Sequence, residues 1–402
     1  MKKIMFYCQY LAGMGHLVRS TEIIRSLVPD FQVCFVNGGQ PIAEFELPAQ
    51  IEVVHLPAIL EEAGELKAVD ASADIEVVKQ HRIQQLLAVF DRFQPDCLIT
   101  ECFPFSKHRV KFELQPLLDR AKSASHPVRI VCSLRDLVMT QALSPEAWDR
   151  KYEKVCNLVN RYYDLILFHG DPQLQTLADF FPLADRLTAE VYYTGYVSQS
   201  PPETPLGFMD AAHLSQSTPR IVASVGGGRF GYDLLNALKQ ASPILARSIP
   251  HQVYAFAGPW MPEAQFQALQ QGEGSEPVPA MTNFTIRRFT PHLIQYMQTA
   301  DLSISLGGYN TTMNILKTGV RALVFPFISE NQAGEQSIRA EKLEQLGVLQ
   351  VVHPADLTGD RLADKILTYL QQQPSPHSFN LEGAANSADR LKALLCQQPI
   401  AV

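Results

Sequence analysis

No apolar run in this chain approaches the ~20 residues that a membrane-spanning helix needs, so an integral membrane protein is not expected. Its seven cysteines, Cys8, Cys34, Cys97, Cys102, Cys132, Cys156 and Cys396, include no Cys-x-x-Cys pair. Most sit in apolar, strand-like runs such as Val33-Cys34-Phe35 and Ile130-Val131-Cys132. They read as buried, reduced thiols of a cytosolic protein. The eleven histidines form no His-x-x-x-His pair backed by carboxylates, and there is no Asp-x-Asp, so no metal site is expected. There is no surplus of positive charge either: the net charge of −7 argues against broad nucleic-acid binding. Hydrophobic residues make up 46% and charged residues 19%, which excludes extended disorder. No short-period repeat is present. Met1-Lys2-Lys3 leads directly into a short strand-like run with no long apolar region, so a secretory leader is not expected and a cytoplasmic protein is.

What is present is an alternation. At 402 residues the chain exceeds one ordinary core, so two domains are expected. Apolar, β-branched runs predict strands at Lys3–Gln9, Phe31–Asn37, Ile51–Leu56, Asp96–Glu101, Val128–Leu134, Asp164–His169 and Val191–Thr194. Helical patterns at Leu17–Leu27, Ile75–Phe93 and Ser144–Tyr163 lie between them. Ser198 to Pro219 is rich in Pro and polar residues and reads as a linker. A second alternation follows, with strands at Arg220–Val225, Gln252–Ala257, Asn283–Phe289, Leu302–Ser305, Ala322–Phe325 and Val348–Val352. The expected architecture is α/β: two doubly wound, Rossmann-like domains facing across a cleft. The expected boundaries are 1–197, a linker at 198–218, 219–385, and a tail at 386–402 that packs back on the first domain.

In such sheets ligands bind outside the carboxyl ends of the strands. Those ends carry Gly13–His16, Asn37–Gln40, Glu101, Arg135-Asp136 and His169–Asp171 in the first half. In the second half they carry Gly226–Arg229, Gly258-Pro259, Thr290–His292 and Gly307–Asn310. The richest stretch is Ser305 to Gly347, where an apolar strand enters the Gly307-Gly308 turn and a helical segment over Thr311–Lys317 follows. A Gly turn at a helix start presents backbone N–H groups and the positive end of the dipole to an anion such as a diphosphate. Glu335-Gln336 would supply acceptors and donors to sugar hydroxyls. Gly226-Gly227-Gly228-Arg229 repeats the phosphate-cradling logic, with charge added by Arg229. Gly13-Met14-Gly15-His16 opens the first helix, and the helix end favours a neutral imidazole suited to a general base. Val18 stands where a dinucleotide fingerprint needs its third glycine, so an NAD enzyme is not expected. Glu101 to Phe112 interleaves aromatics with Lys107, His108, Arg109 and Lys111. That stretch reads as an acceptor grip or as an anchor to an anionic lipid surface, and equally as an ordinary loop with snorkelling side chains.

Gly13–His16, Gly226–Gly228, Gly307-Gly308 and Glu335-Gln336, in this order and spacing, resemble the GT-B superfamily, and within it the MurG-like glycosyltransferases. The resemblance implies a GT-B fold, a nucleotide-sugar donor on the second domain and an acceptor with its base on the first. It matches His16 to the base, with Glu101 and Asp136 as the next candidates, and Gly226–Gly228 to the diphosphate loop. Thr290 matches the position whose backbone meets a uracil edge. Gly15, Arg229, Gly307, Gly308, Tyr309, Asn310, Thr311, Glu335 and Gln336 complete the donor set. Asn314 stands where the family commonly has a Glu on the ribose, which removes a charge-assisted bond and leaves the base open among uracil, guanine and thymine.

The expectation is an inverting, metal-independent transfer from a UDP-sugar to a hydroxyl acceptor that is a small molecule, a glycan or a lipid. It needs no cofactor and no nucleic acid, and peripheral contact with the inner face of a membrane is compatible with it. A nucleotide-sugar hydrolase or epimerase on the same fold is the alternative, and a nucleotide-sugar-binding module without chemistry is a third reading.

Overall fold

The computed structural model describes residues 1–396 except 12, 43–44, 63, 140–142, 203–204, 206, 208–209, 213–217, 272–282 and 328–333. Part of the expected 198–218 linker therefore lies outside the described residues. The chain divides into two compact units, Met1–Ser198 with Phe379–Val402, and Gln199–Ser378.

The first unit is built on a parallel sheet of seven strands: β1 (Lys2–Cys8), β2 (Phe31–Asn37), β3 (Glu52–His55), β6 (Cys97–Glu101), β7 (Arg129–Arg135), β8 (Leu165–His169) and β9 (Glu190–Tyr193). The order is β3-β2-β1-β6-β7-β8-β9. Parallel strands are covered on both faces, and β6 and β8 are accordingly buried along their whole length. The registers Lys2↔Phe31 to Cys8↔Asn37 and Ile4↔Cys97 to Tyr7↔Thr100 bring the carboxyl ends of β1, β2 and β6 level. An antiparallel hairpin, β4 (Ile59–Glu62) and β5 (Glu65–Ala68), stands apart from the sheet.

The helices begin and end where local chemistry favours it. Helix α1 spans Gly15–Leu27, and its N-cap, Met14, offers no side-chain hydrogen bond. Asp74 caps α2 (Ile75–Phe93) by accepting from the N–H groups of Glu76 and Val77, and Gln94 ends it in the left-handed region, satisfying orphan backbone groups at both ends. Helix α3 covers Lys111–Lys122, and α4 covers Pro145–Tyr162 with Ser144 as cap and a helix-compatible proline at its start.

The second unit holds a six-stranded parallel sheet: β10 (Arg220–Ser224), β11 (Gln252–Phe256), β12 (Phe284–Arg287), β13 (Leu302–Leu306), β14 (Ala322–Phe325) and β15 (Gln350–Val351). Its order is β12-β11-β10-β13-β14-β15. Around it pack α5 (Tyr232–Leu245), α6 (Glu263–Gln270), α7 (Leu293–Thr299), α8 (Tyr309–Thr318), α9 (Glu335–Gln345) and α10 (Gly359–Leu370). Each unit has its own apolar core. The last helix, α11 (Gly383–Cys396), packs on α1. Lys392 bonds Asp30 at 2.6 Å, and Arg390 pairs with Glu190. A Cβ on Gly383 would lie 2.5 Å from the Gly195 carbonyl, so only glycine allows that close approach. No helix among the described residues is long and apolar enough to cross a membrane.

Both sheets run outward in both directions from their first strand. The reversal point, where successive connections leave on opposite faces, lies between β1 and β6 in one unit and between β10 and β13 in the other. Crevices form at such points.

Candidate active site

At the first reversal point the sheet brings together two residues 85 positions apart in sequence. His16, on the opening turn of α1, places Nδ1 2.6 Å from Oε1 of Glu101, the last residue of β6. The Glu101 side chain is fully buried, while that of His16 is 18% exposed, so the ring retains a path to solvent. Arg19, one helical turn after His16 and buried, also pairs with Oε1 of Glu101.

The partnership assigns the tautomer. Glu101 is a carboxylate: burial opposes the charge, but His16 and Arg19 hold its pKa well below the usual range. A carboxylate only accepts, so Nδ1 of His16 carries the proton and donates it to Glu101. Nε2 is then the ring's acceptor. Burial first, with smaller contributions from the charges of Lys107 and Arg135, lowers the His16 pKa to about 3 against the pull of Glu101. His16 is therefore neutral throughout the physiological range. His16, Glu101 and Cys102 each place one ligand atom within 4.8 Å of the others. A dication there would meet the Arg19 guanidinium already paired with Glu101, so the group suits proton transfer better than metal binding.

The loop leaving β6 is unusual. Cys102 and Lys107 both hold left-handed backbone, at φ 59° and 63°, a region costly for side chains other than glycine. Phe103 and Phe105 are fully buried, and Phe105 packs edge-on against Phe181 at 5.2 Å. Those two rings of the Glu101–Phe112 stretch therefore belong to the core of the first unit, while Phe112 is half-buried. Asp136 lies beyond the end of β7, buried, its Oδ1 accepting the Leu137 N–H at 2.8 Å.

At the second reversal point, Gly226–Gly228 leaves β10 and Gly307-Gly308 leaves β13. Gly228 is at φ 86°, and a Cβ on it would lie 2.2 Å from the Ala257 carbonyl oxygen. Gly258 answers it from the next strand end, at φ 83° and with a Cβ position 2.3 Å from the Gly228 nitrogen. These two glycines are demanded by backbone packed on backbone. Gly226, at φ 62°, and Gly308 both look into open space, with nothing within 4 Å of a Cβ. Gly308 caps α8 with no side-chain hydrogen bond, so the start of that helix is open to an anion. Arg339, buried, donates to the Gly307 carbonyl at 3.3 Å and lies 5.5 Å from the Tyr309 ring centroid, which fixes the turn from beneath.

The family model described as Glycosyltransferase family 28 C-terminal domain matches residues 222–394. An NDP-glycosyltransferase, YjiC, of Bacillus licheniformis is 31% identical over 121 residues, 28% of this chain and 29% of that protein. A UDP-N-acetylglucosamine--N-acetylmuramyl-(pentapeptide) pyrophosphoryl-undecaprenol N-acetylglucosamine transferase of Aliivibrio fischeri is 26% identical over 173 residues, 43% of this chain and 46% of that one. The chain thus spans less than half the length of these curated relatives. Whole-chain likeness comes from solved structures. The kitacinnamycin glycotransferase aligns over 98% of this chain and 99% of its own at a TM-score of 0.58 and 15% identity. MurG of Acinetobacter baumannii aligns over 98% and 99% at 0.51 and 16%. This chain has the GT-B fold.

On that GT-B frame the remaining donor candidates fall as follows. Gly15 is the first residue of α1, in the first unit. Gly227 accepts the Trp260 N–H at 2.9 Å through its carbonyl, and Arg229 lies 5.5 Å from the Trp260 ring centroid. Thr290 follows β12, buried, with Oγ1 accepting the His292 N–H at 3.1 Å. Asn310 and Thr311 lie half-buried in the first turn of α8. Asn314 is buried deeper in that helix, and its amide donates to Oε1 of Gln199 at 2.6 Å. Glu335 and Gln336 open α9, and Oε1 of Gln336 accepts the Phe327 N–H at 3.0 Å.

Sequence reasoning missed Arg19 as part of the site, and missed that Glu101 partners His16 instead of competing with it. One signal was within reach: residues three apart on a helix share a face, so a carboxylate serving His16 would also meet Arg19.

Proposed function

We propose that this protein is a glycosyltransferase that moves a sugar from a nucleotide diphosphate sugar, a UDP-sugar in the first instance, to a hydroxyl acceptor with inversion and without a metal. The observation that carries the reading is the neutral His16 ring, its Nδ1–H held 2.6 Å from buried Glu101. That arrangement orients an acceptor nitrogen as a general base requires.

In the proposed step the acceptor O–H gives its proton to Nε2 of His16 while its oxygen bonds to the anomeric carbon. The bond from that carbon to the diphosphate oxygen breaks, and the nucleoside diphosphate leaves with the electron pair. The imidazolium that forms is stabilised by Glu101, while Arg19 keeps Glu101 ionised and in place. Charge developing on the leaving group is met by the turns at Gly226 and Gly307-Gly308 and by the dipole of α8. Phosphate stabilisation by backbone and helix dipole supports a reaction without Mg²⁺ or Mn²⁺.

The test is calorimetry of the full chain with UDP, GDP and dTDP, followed by turnover with the matching sugars with and without EDTA. UDP should bind best, EDTA should leave turnover unchanged, and the product should carry the inverted anomeric configuration by NMR. A retained configuration or a strict divalent requirement overturns the mechanism.

A further inference from the structure

Arg82, on α2, is a fully buried cation that the reaction just described does not use. A guanidinium has five N–H donors in a fixed fork, and here each has its own acceptor. Nε and Nη2 grip Oε2 and Oε1 of buried Glu113, on α3, at 2.7 and 2.6 Å. Nη1 donates to the carbonyls of Gly38 and Pro57 at 3.0 and 2.6 Å, and Nη2 to Oε1 of Gln9 at 2.7 Å. The Tyr7 hydroxyl, from β1, also donates to Glu113. A Cβ on Gly38 would lie 2.2 Å from Oε1 of Gln9 and 2.9 Å from Nη2 of Arg82, so this close approach is what requires glycine there. Two of these contacts lead to the base. Gln9 follows β1, is buried, and donates from Nε2 to the Tyr10 carbonyl at 2.9 Å, at the start of the segment that runs to His16. The Tyr10 hydroxyl in turn donates to the Gln40 carbonyl at 2.5 Å. Glu113 stands on the helix reached by the loop that leaves Glu101. Arg82 therefore ties the segment that enters His16 to the segment that leaves Glu101. Desolvation offsets most of the attraction in a buried ion pair, so such a pair is weak evidence for stability; the five-fold geometry here points to placement instead.

We propose that Arg82 is a positioning residue for the base: through Gln9 on one side and Glu113 on the other, it sets the geometry in which Nδ1 of His16 meets Glu101 at 2.6 Å. The effect on that hydrogen bond stands on its own. Its effect on turnover rests on the reading of His16 as the base of a glycosyl transfer.

Two variants of the full-length protein and two readouts test this. Arg82→Met removes the whole cluster and leaves Glu113 without its counter-charge, so it should lose stability. Gln9→Met keeps the Arg82–Glu113 pair and cuts only the link to the Tyr10 carbonyl. The first readout is NMR of protein labelled with ¹⁵N-histidine, following the Nδ1–H of His16, assigned by its loss in His16→Ala. That resonance should shift upfield and exchange faster with water in Gln9→Met, while the signal of His251, bonded to Ser242 in the second unit, stays in place. The second is transfer kinetics well below the Tm. Misplacing a reacting group by about 1 Å costs on the order of a hundredfold, so kcat should fall roughly ten- to hundredfold while KM for the nucleotide sugar holds. A His16 resonance identical to the parent's in every variant that folds overturns the proposal, whatever happens to Tm or turnover. A resonance that moves while kcat does not, or a parent that transfers no sugar, supports the positioning in the first case and leaves the NMR result to decide it in the second. Either outcome counts against His16 as the base of a glycosyl transfer.

Discussion

Replacing Gly308 by Val should weaken nucleoside diphosphate binding without unfolding the second unit. Gly308 sits at φ −63° and ψ 151°, a conformation open to any residue, and no atom lies within 4 Å of the position its Cβ would take. The folding cost is therefore limited to a poorer N-cap, about 0.5–1 kcal/mol, or a fall in Tm of roughly 1–4 °C for a unit of this size. The space the side chain enters is where a phosphate would meet the start of α8. Losing two charge-assisted bonds there, at about 1.5–3 kcal/mol each, should lower UDP affinity roughly a hundredfold or more. Gly228→Ala is the comparison with the opposite expectation. Its Cβ would meet the Ala257 carbonyl at 2.2 Å from a backbone at φ 86°, so a loss of about 3 kcal/mol or more is expected, with Tm falling by roughly 6–12 °C. Calorimetry with UDP and differential scanning calorimetry on the same preparations read both effects. If Gly308→Val binds UDP as the parent does, the phosphates lie elsewhere and the donor-site assignment fails.

Three further outcomes follow from the first unit. His16→Ala should lower kcat by about 10²–10⁴-fold while UDP affinity holds; full turnover with a lower Tm would make His16 a packing residue. Glu101→Gln should cost about 3–5 kcal/mol, because Arg19 loses its buried counter-charge; a double variant with Arg19→Met that recovers part of that stability would confirm the cause, and no recovery would refute it. Acid should destabilise the chain, since burial lowers His16 and His169 to about 3 and His108 to about 4 from an ordinary 6.5. The unfolded chain takes up protons first, so their contribution is complete above pH 6.5 and falls by roughly 1.4 kcal/mol per pH unit for each histidine as the pH drops toward 4. Urea titrations between pH 7 and 5 check this, and a midpoint that does not move would contradict it.

The parallel strands were legible because burial on both faces leaves an unbroken apolar run in sequence. The edges were less so. Asn283–Phe289 shrinks to Phe284–Arg287 and Val348–Val352 to Gln350–Val351, both at the margins of the second sheet. An edge strand pairs on one side only, so apolar residues can continue past the end of its ladder. The hairpin β4–β5 escaped notice because Glu61, Glu62, Glu65 and Lys67 interrupt any apolar alternation, and the pair belongs to neither main sheet.

For the site, reading residues off strand ends located both reversal points, since glycine and polar residues gather where apolar runs stop. The reading could not pair them. That His16 meets Glu101 depends on β1 lying beside β6, and strand order is a property of the assembled sheet that no local pattern encodes. The glycine triplet shows the same limit at finer scale. Gly226 and Gly228 look alike in sequence and both hold positive φ, yet one faces open space and the other is clamped against Ala257. Glycine is needed in a phosphate turn for ligand access and in a packed turn for backbone access, and composition cannot separate the two. The separation is steric: an added methyl strains the backbone at both positions because both hold positive φ, but only at Gly228 does it also collide with backbone, so the larger loss of stability is expected there and loss of affinity at Gly226.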